Sequence, residues 1–316
     1  LGIRALDNHT LEVRLTASLP YFAAMTTHAS TFPSPQWTVR TFGDDWVKPG
    51  NIVGNGAYVL TEHIPNETAT RERNSLYWNN DATIIDKVVT LVINDENTDL
   101  TRWQAGETDK GAVPSGQYPR LKAEYPDEAI SFPRLCTYYY TFNLSPSGQE
   151  ALRDVRVRQA LSYALDRSVV TDKVLQGGQI QAFTFTPGAT AGFEVPAVAF
   201  GQMTQDERNA KAKELMAAAG YGPDNPLSVE VMYNTSEGHK KIAIAVQQMW
   251  KETLGVEASL ANQEWKTFLK TRGGQNFDIA RGGWCGDYNE ASTFLDLMTT
   301  PSGYNDGKFS NAEVDE

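Results

Sequence analysis

Cysteine, histidine and positive charge are all scarce in this 316-residue chain. Its cysteines are Cys136 and Cys285, and its histidines are His9, His28, His63 and His239. None of these is spaced as a zinc site and no His-Glu-x-x-His occurs, so local sequence offers no metal centre. No cofactor is expected either. Apolar runs long enough to span a bilayer are missing, as are low-complexity tracts. Lys and Arg number 28 against 39 Asp and Glu, for a net charge of -11. Such an excess of negative charge argues against nucleic acid or an anionic membrane as the main partner. Gly54-Asn55-Gly56 lacks the third glycine of a dinucleotide fingerprint and the Lys-Ser/Thr of a phosphate loop. It reads as a tight turn leading into a strand.

What remains is ordinary globular material, 41% hydrophobic and 21% charged, with a length that suggests about two domains. Alternation marks strands at 11–15, 58–60, 68–73, 227–233 and 256–260. A β-branched run at 88–93 reads as a buried strand, and Tyr77-Trp78 as an aromatic pair sealing a surface. Helices are expected at 20–25, at 97–105 closed by Gly106, at 264–270, and at 154–167 with Asp154 as N-cap and its arginines in solvent. Thr204-Gln205-Asp206-Glu207 is a capping box opening a helix that Gly220 ends, and a stripe from Ile242 to Met249 ends at Gly255. The β-α-β-α-β order from residue 227 favours a mixed sheet with packed helices, its strand ends converging on one rim. Asn234, His239, Arg272 and Asp287 are expected on that rim.

Two strands carry the chemistry. One, at 135–143, is Leu-Cys-Thr-Tyr-Tyr-Tyr-Thr-Phe-Asn, with aromatics on both faces. The other is expected at 277–281, with Phe277, Ile279 and Arg281 on one face, and continues as Arg-Gly-Gly-Trp-Cys-Gly-Asp-Tyr-Asn-Glu (281–290). Glycines here free the backbone for close approach by another group. Asp287, beside Trp284 and Tyr288, suits an ammonium partner through a charge-assisted hydrogen bond. Read locally, it is equally a turn aspartate capping its own backbone. The two cysteines, each at a strand edge, read either as free buried thiols or as a pair.

Several segments together resemble the periplasmic oligopeptide-binding proteins that serve ABC importers. They are Tyr-Asn-Thr-Ser (233–236) with His-Lys-Lys (239–241), Asn-Gln-Glu-Trp-Lys-Thr-Phe-Leu (262–269), Thr-Arg (271–272), Ala-Arg (280–281) and Trp-Cys-Gly-Asp-Tyr-Asn-Glu (284–290). The resemblance implies a multi-lobed α/β binding protein of the Venus-flytrap type, with both ends of the family sequence absent. Residues 1–38 would end a small lobe, 39–135 belong to a first ligand-binding lobe and 136–316 to a second. It implies a Cys136–Cys285 disulfide in an oxidising, periplasmic compartment. It also implies Asp287 for a peptide's amino terminus, and the backbone of Gly283 and Cys285 for its main chain. Arg281, Arg272 and His239 would be cations for its carboxylate, lining one cavity with Asp287. Trp265, Trp284 and Tyr139 would shape side-chain pockets, with Asn234 nearby. The implied partners are a short peptide and a membrane permease, and the implied state is a monomer.

One departure stands out. Many members carry a lysine where this chain has Leu175, and Lys173-Val174-Leu175 with Thr190-Ala191-Gly192-Phe193 looks more like the murein-tripeptide branch. A cell-wall peptide is therefore the alternative ligand. A periplasmic hydrolase is the rival from another class, but only generic acid pairs such as Asp95-Glu96 favour it and no Gly-x-Ser-x-Gly occurs. A nickel or haem binder of the same family would need more ligands than His239.

Overall fold

A computed structural model describes residues 2–316. They form two compact units, divided between Asp99 and Leu100. Among the described residues no helix is long and apolar enough to cross a membrane.

The first unit opens with an antiparallel pair, β1 (Gly2–Ala5) and β2 (Leu11–Arg14). Two short helices follow, α1 (Phe22–Met25) and α2 (Gln36–Phe42). The strands β3 (Tyr58–Ile64), β4 (Thr68–Arg73) and β5 (Lys87–Leu91) then make an antiparallel sheet in chain order. Asn74 locks the glycine turn that feeds it, its Nδ2 donating to the Gly56 carbonyl at 2.8 Å. Two sequence expectations fail in this unit. β5 forms but is not buried: it pairs with β4 alone, and Val89 is half exposed. Trp78 seals nothing, since 83% of its surface is open. The helix α3 (Glu96–Gln104) spans the division in the sequence, and Gly106 ends it with a φ of 73°.

The second unit holds the clusters of buried apolar residues. A small one gathers Leu100, Leu121 of α4 (Tyr118–Glu124) and Ala129. The larger ones lie on a four-stranded sheet. Its strands are β6 (Cys136–Phe142), β7 (Ser228–Asn234), β8 (Glu257–Gln263) and β9 (Ile279–Cys285), in the spatial order β6-β9-β7-β8. β7 runs parallel to both β8 and β9, whereas β6 is antiparallel to β9.

Ahead of β7 come α5 (Val155–Tyr163) and α6 (Gln205–Ala218), the latter opened by the expected capping box at Thr204. α7 (Glu237–Leu254) links β7 to β8, and α8 (Trp265–Gly273) links β8 to β9. Because β8 and β9 flank β7 on opposite sides, crossovers of one hand must put α7 and α8 on opposite faces. The cores agree. Val231 and Ile279 pack with α5, α6 and α7, while Met232 and Ala280 pack with Phe268 of α8.

Three boundaries differ from the sequence reading. The helix expected over 154–167 stops at Tyr163, because the Asp166 carboxylate takes the Ser168 N–H at 2.9 Å and its hydroxyl at 2.6 Å. A π-helical stretch, Val169–Leu175, follows. Its neighbouring arginines are not all solvated: Arg158 caps the Leu152 and Arg153 carbonyls, and Arg167 lies 4.9 Å from the Phe183 ring centre. The strand expected over 277–281 begins two residues later and continues through the glycines to Cys285. Phe277 therefore lies outside it, in the core on the α8 side, and does not share a face with Ile279 and Arg281.

Cys136 and Cys285 face each other in the β6–β9 register and are disulfide-bonded, with Cα atoms 4.0 Å apart. Gly286 N–H donates to the Leu135 carbonyl, which makes this a non-hydrogen-bonded pair, the closer of the two antiparallel kinds. The bridge spans a separation of 149 residues. Replacing both cysteines by serine is expected to lower the unfolding free energy by up to about 5 kcal/mol, the chain-entropy limit for a loop of this length. A denaturant midpoint unchanged by the double substitution would show that the bridge does not restrain the unfolded chain.

Candidate functional site

β7 is the switch point of the sheet, and there the sheet opens. β7 and β9 are paired only at Val231/Ile279 and Met232/Ala280. Beyond those residues β7 continues against β8 and β9 continues against β6. A crevice outside the carboxyl ends of parallel strands at such a point is where open α/β sheets bind ligands.

Alternation along β9 and β6 sorts the candidate residues onto two faces. Arg281 shares its face with Tyr138 and Tyr140. Its guanidinium lies 5.0 Å from the Tyr138 ring centre, and its Nη1 donates to Asn234 Oδ1 at 3.4 Å. Nε of the same group is buried without a hydrogen-bond partner. Gly283 makes room for this cation, because a Cβ there would sit 3.0 Å from Arg281 Nη2.

His239 enters the same cluster from the first turn of α7. Its Nδ1 is 3.5 Å from Tyr138 Oη, and the two rings are 5.6 Å apart. Burial, and then the Arg281 charge, lower the His239 pKa to about 4. The positive end of α7 acts in the same sense. In this state the imidazole is neutral at physiological pH, not the cation the sequence suggested.

The other face holds Tyr139, Trp284 and Arg272. Tyr139 lies flat over Gly282, where a Cβ would come within 2.7 Å of several ring atoms, and packs 4.8 Å from Phe185. Trp284 donates through Nε1 to Thr293 Oγ1 at 3.4 Å and meets Tyr304 edge-on at 5.0 Å. Arg272, on α8, has Nε 2.8 Å from Asp306 Oδ2, and both side chains are largely covered. Burial pushes the Asp306 carboxyl above its usual range, with Arg272 pulling the other way. Tyr139, Arg272, Tyr304 and Asp306 line a cavity of about 190 Å³ at the β6 edge. So the structure does not gather the three expected cations. Arg281 and His239 stand together, and Arg272 lies across the sheet, its Nη1 reaching only the Arg281 carbonyl at 3.4 Å.

Asp287 lies in the bend that follows β9. It is exposed, and Thr293 Oγ1 anchors its backbone N–H at 3.0 Å. Trp265 stands at the start of α8, 48% exposed and stacked on Phe268 at 5.9 Å. Between Arg281 and Asp287 runs an open strand edge. Since Cys136/Cys285 is a non-hydrogen-bonded pair, the main-chain groups of Gly283 and Cys285 point away from β6, on the side where β9 has lost its neighbour β7, while the Arg281 carbonyl on that side accepts from Arg272.

Tyr138, Tyr140, Phe185, Thr293, Tyr304 and Asp306 belong to these clusters but were not among the candidates the sequence offered. Tyr138 was hidden in a run of three tyrosines, which only the register with β9 resolves. Asp306 had no local signal at all.

The sequence and fold that carry this site have known counterparts. Residues 1–306 match the bacterial extracellular solute-binding proteins, family 5, middle region. The chain belongs to that family.

Within the family it is 46% identical over its whole length to the periplasmic murein peptide-binding protein MppA of Escherichia coli, covering 58% of that protein. It is 44% identical, with the same coverage, to the periplasmic oligopeptide-binding protein OppA of the same organism. Among solved structures, the E. coli murein tripeptide binding protein MppA superimposes with a TM-score of 0.94 at 45% identity, over 99% of this chain and 61% of that one. OppA of Haemophilus influenzae in complex with RPPGFSPFR gives 0.90 at 40% identity, over 99% and 62%. The mixed α/β fold is thus that of the family's binding proteins, and the chain spans about three-fifths of their length. These family members are periplasmic, a compartment in which a Cys136–Cys285 disulfide persists.

The electrostatics of the Arg281 cluster can be read directly. Histidine resonances followed by NMR are expected to place the His239 midpoint near 4, and Arg281→Gln should move it upward without reaching 6.5, because burial remains. As pH falls from 6.5 towards 4 the unfolded chain takes this proton first, so His239 withdraws stability over that window. A midpoint at or above 6.5 in the parent protein would contradict the burial seen here.

Proposed function

We propose that the chain is the peptide-gripping part of the substrate-binding component of a periplasmic ABC importer. The observation that carries this reading is the open edge of β9, with Asp287 at one end and Arg281 with His239 at the other. An extended peptide exposes the same backbone groups whatever its sequence, and pairing with a strand edge captures it without reading side chains. Gly283 and Cys285 would supply those bonds. Asp287 would take the amino terminus and Arg281 the carboxylate end. From 281 to 287 the extended chain covers roughly 20 Å, enough for an extended ligand of up to about six residues.

Tyr139 and Trp284, with the cavity beside Arg272, suit the ligand's side chains, and Trp265 flanks the same end of the sheet. Arg272 is less suited to a carboxylate than Arg281, since Asp306 already neutralises it. The protein would act as a monomer, deliver its ligand to a membrane permease and leave the peptide uncleaved. A murein tripeptide fits the same edge, and Leu175 with the 190–193 segment favours it as the second reading.

Calorimetric titration with one tripeptide, free and N-acetylated, tests the assignment. The parent protein should bind the free form and reject the acetylated one. Asp287→Asn should weaken binding of the free form by at least 100-fold, in line with about 3–5 kcal/mol for stranding one charge of a desolvated pair. Equal affinity of the parent for both peptides would refute the amino-terminus role. A murein tripeptide titrated alongside separates the two ligand readings.

A further inference from the structure

The Arg281 cluster contains a feature that a plain carboxylate clamp does not need. Of its two basic groups, only the guanidinium is charged before ligand arrives. His239 faces Arg281 from β9 and the Tyr138 phenol from β6, and no acid faces it from either strand. On its own helix, Glu237 lies 3.8 Å from Lys240 in an ion pair, and Lys241 reaches away to the Ser115 carbonyl at 2.9 Å. β7 contributes Asn234, an amide that does not titrate. The imidazole is thus held beside an uncompensated cation in a half-buried place, which disfavours its proton.

A carboxylate arriving at Arg281 reverses this balance. Arg281 becomes paired, its repulsion of His239 is cancelled, and a negative charge lies near both. We propose that ligand binding at this site recruits His239 as a second cation, so that the protein takes up a proton from solvent together with its peptide. This rests on the peptide-binding reading given above.

Tyr138 is the positioning residue for the change. Its hydroxyl can donate to a neutral Nδ1 and can accept from Nδ1–H once the ring is protonated, so the contact survives both states with only a rotation of the O–H. Its ring meanwhile holds the guanidinium through a cation–π contact at 5.0 Å. Tyr138→Phe keeps the second role and removes the first.

The test is calorimetric titration of a free tripeptide at pH 6.0 in phosphate and in Bis-Tris, buffers that differ in ionisation enthalpy. At this pH the ligand's own amine is already charged, so its proton does not enter. The expected result is a buffer-dependent enthalpy equivalent to half a proton or more taken up per peptide at this pH. Affinity should rise as pH falls from 7 towards 5, where the ligand's amine is already charged, by up to tenfold per unit below the bound-state pKa of His239. The C-terminal amide of the same peptide should bind more weakly with no uptake. His239→Gln should abolish the buffer dependence, and Tyr138→Phe should reduce it. Tight binding with identical enthalpies in both buffers overturns the proposal and leaves the peptide reading intact. Failure of any free peptide to bind overturns both.

Discussion

The pairing of β6 with β9 is the constraint on which the rest of the site depends. It sets Cys136 opposite Cys285, puts Tyr138 opposite Gly283 and Tyr139 opposite Gly282, and so decides which aromatic meets which glycine. A shift of one residue would exchange the faces of every side chain on β9. Arg281 would then leave Tyr138 and His239, and the main-chain groups of Gly283 and Cys285 would turn towards β6. The disulfide closes the end of the pair where such slippage would begin.

The same strand serves two neighbours and then loses one. Over Ile279 and Ala280 it is an inner strand, with a core on each face. From Arg281 onwards β7 has parted from it, and one edge lies open. Gly282 and Gly283 sit where that happens, for separate reasons: the Tyr139 ring occupies the place of one Cβ, and the Arg281 guanidinium borders the place of the other. Small residues here make room for specific groups as much as they loosen the chain.

Charge is distributed with similar economy. The chain is acidic overall, yet the sheet end holds two partly buried arginines in different electrical states. Arg272 is matched by Asp306, whereas Arg281 rests against an amide oxygen and an aromatic face. A cation held that way, partly desolvated and not neutralised, attracts an anion more strongly than one already in an ion pair. Together with burial, the larger cause, it keeps His239 unprotonated, which ties the chemistry of one face of β9 to the first turn of α7.

Much of this was legible in the sequence. The helices α6 and α7 were marked by their caps and apolar stripes, the strands β7 and β8 by alternation, and the family by its Trp-Cys-x-Asp-Tyr-Asn-Glu segment. These are local signals, set by backbone propensity and by periods of 3.6 and 2 residues. The sequence by itself also identified Arg281, Asp287, His239 and both cysteines as the residues to watch. Tertiary structure decided how they associate. It carried β9 through two glycines that locally look like a break, because β6 offers a full ladder of hydrogen bonds there. It split Arg272 from Arg281, because α8 crosses to the face opposite α7. It selected Tyr138 from three adjacent tyrosines, and brought in Asp306 from a loop with no motif. Faces, partners and protonation states follow from register and from what lies across the sheet, and a linear pattern does not carry that information.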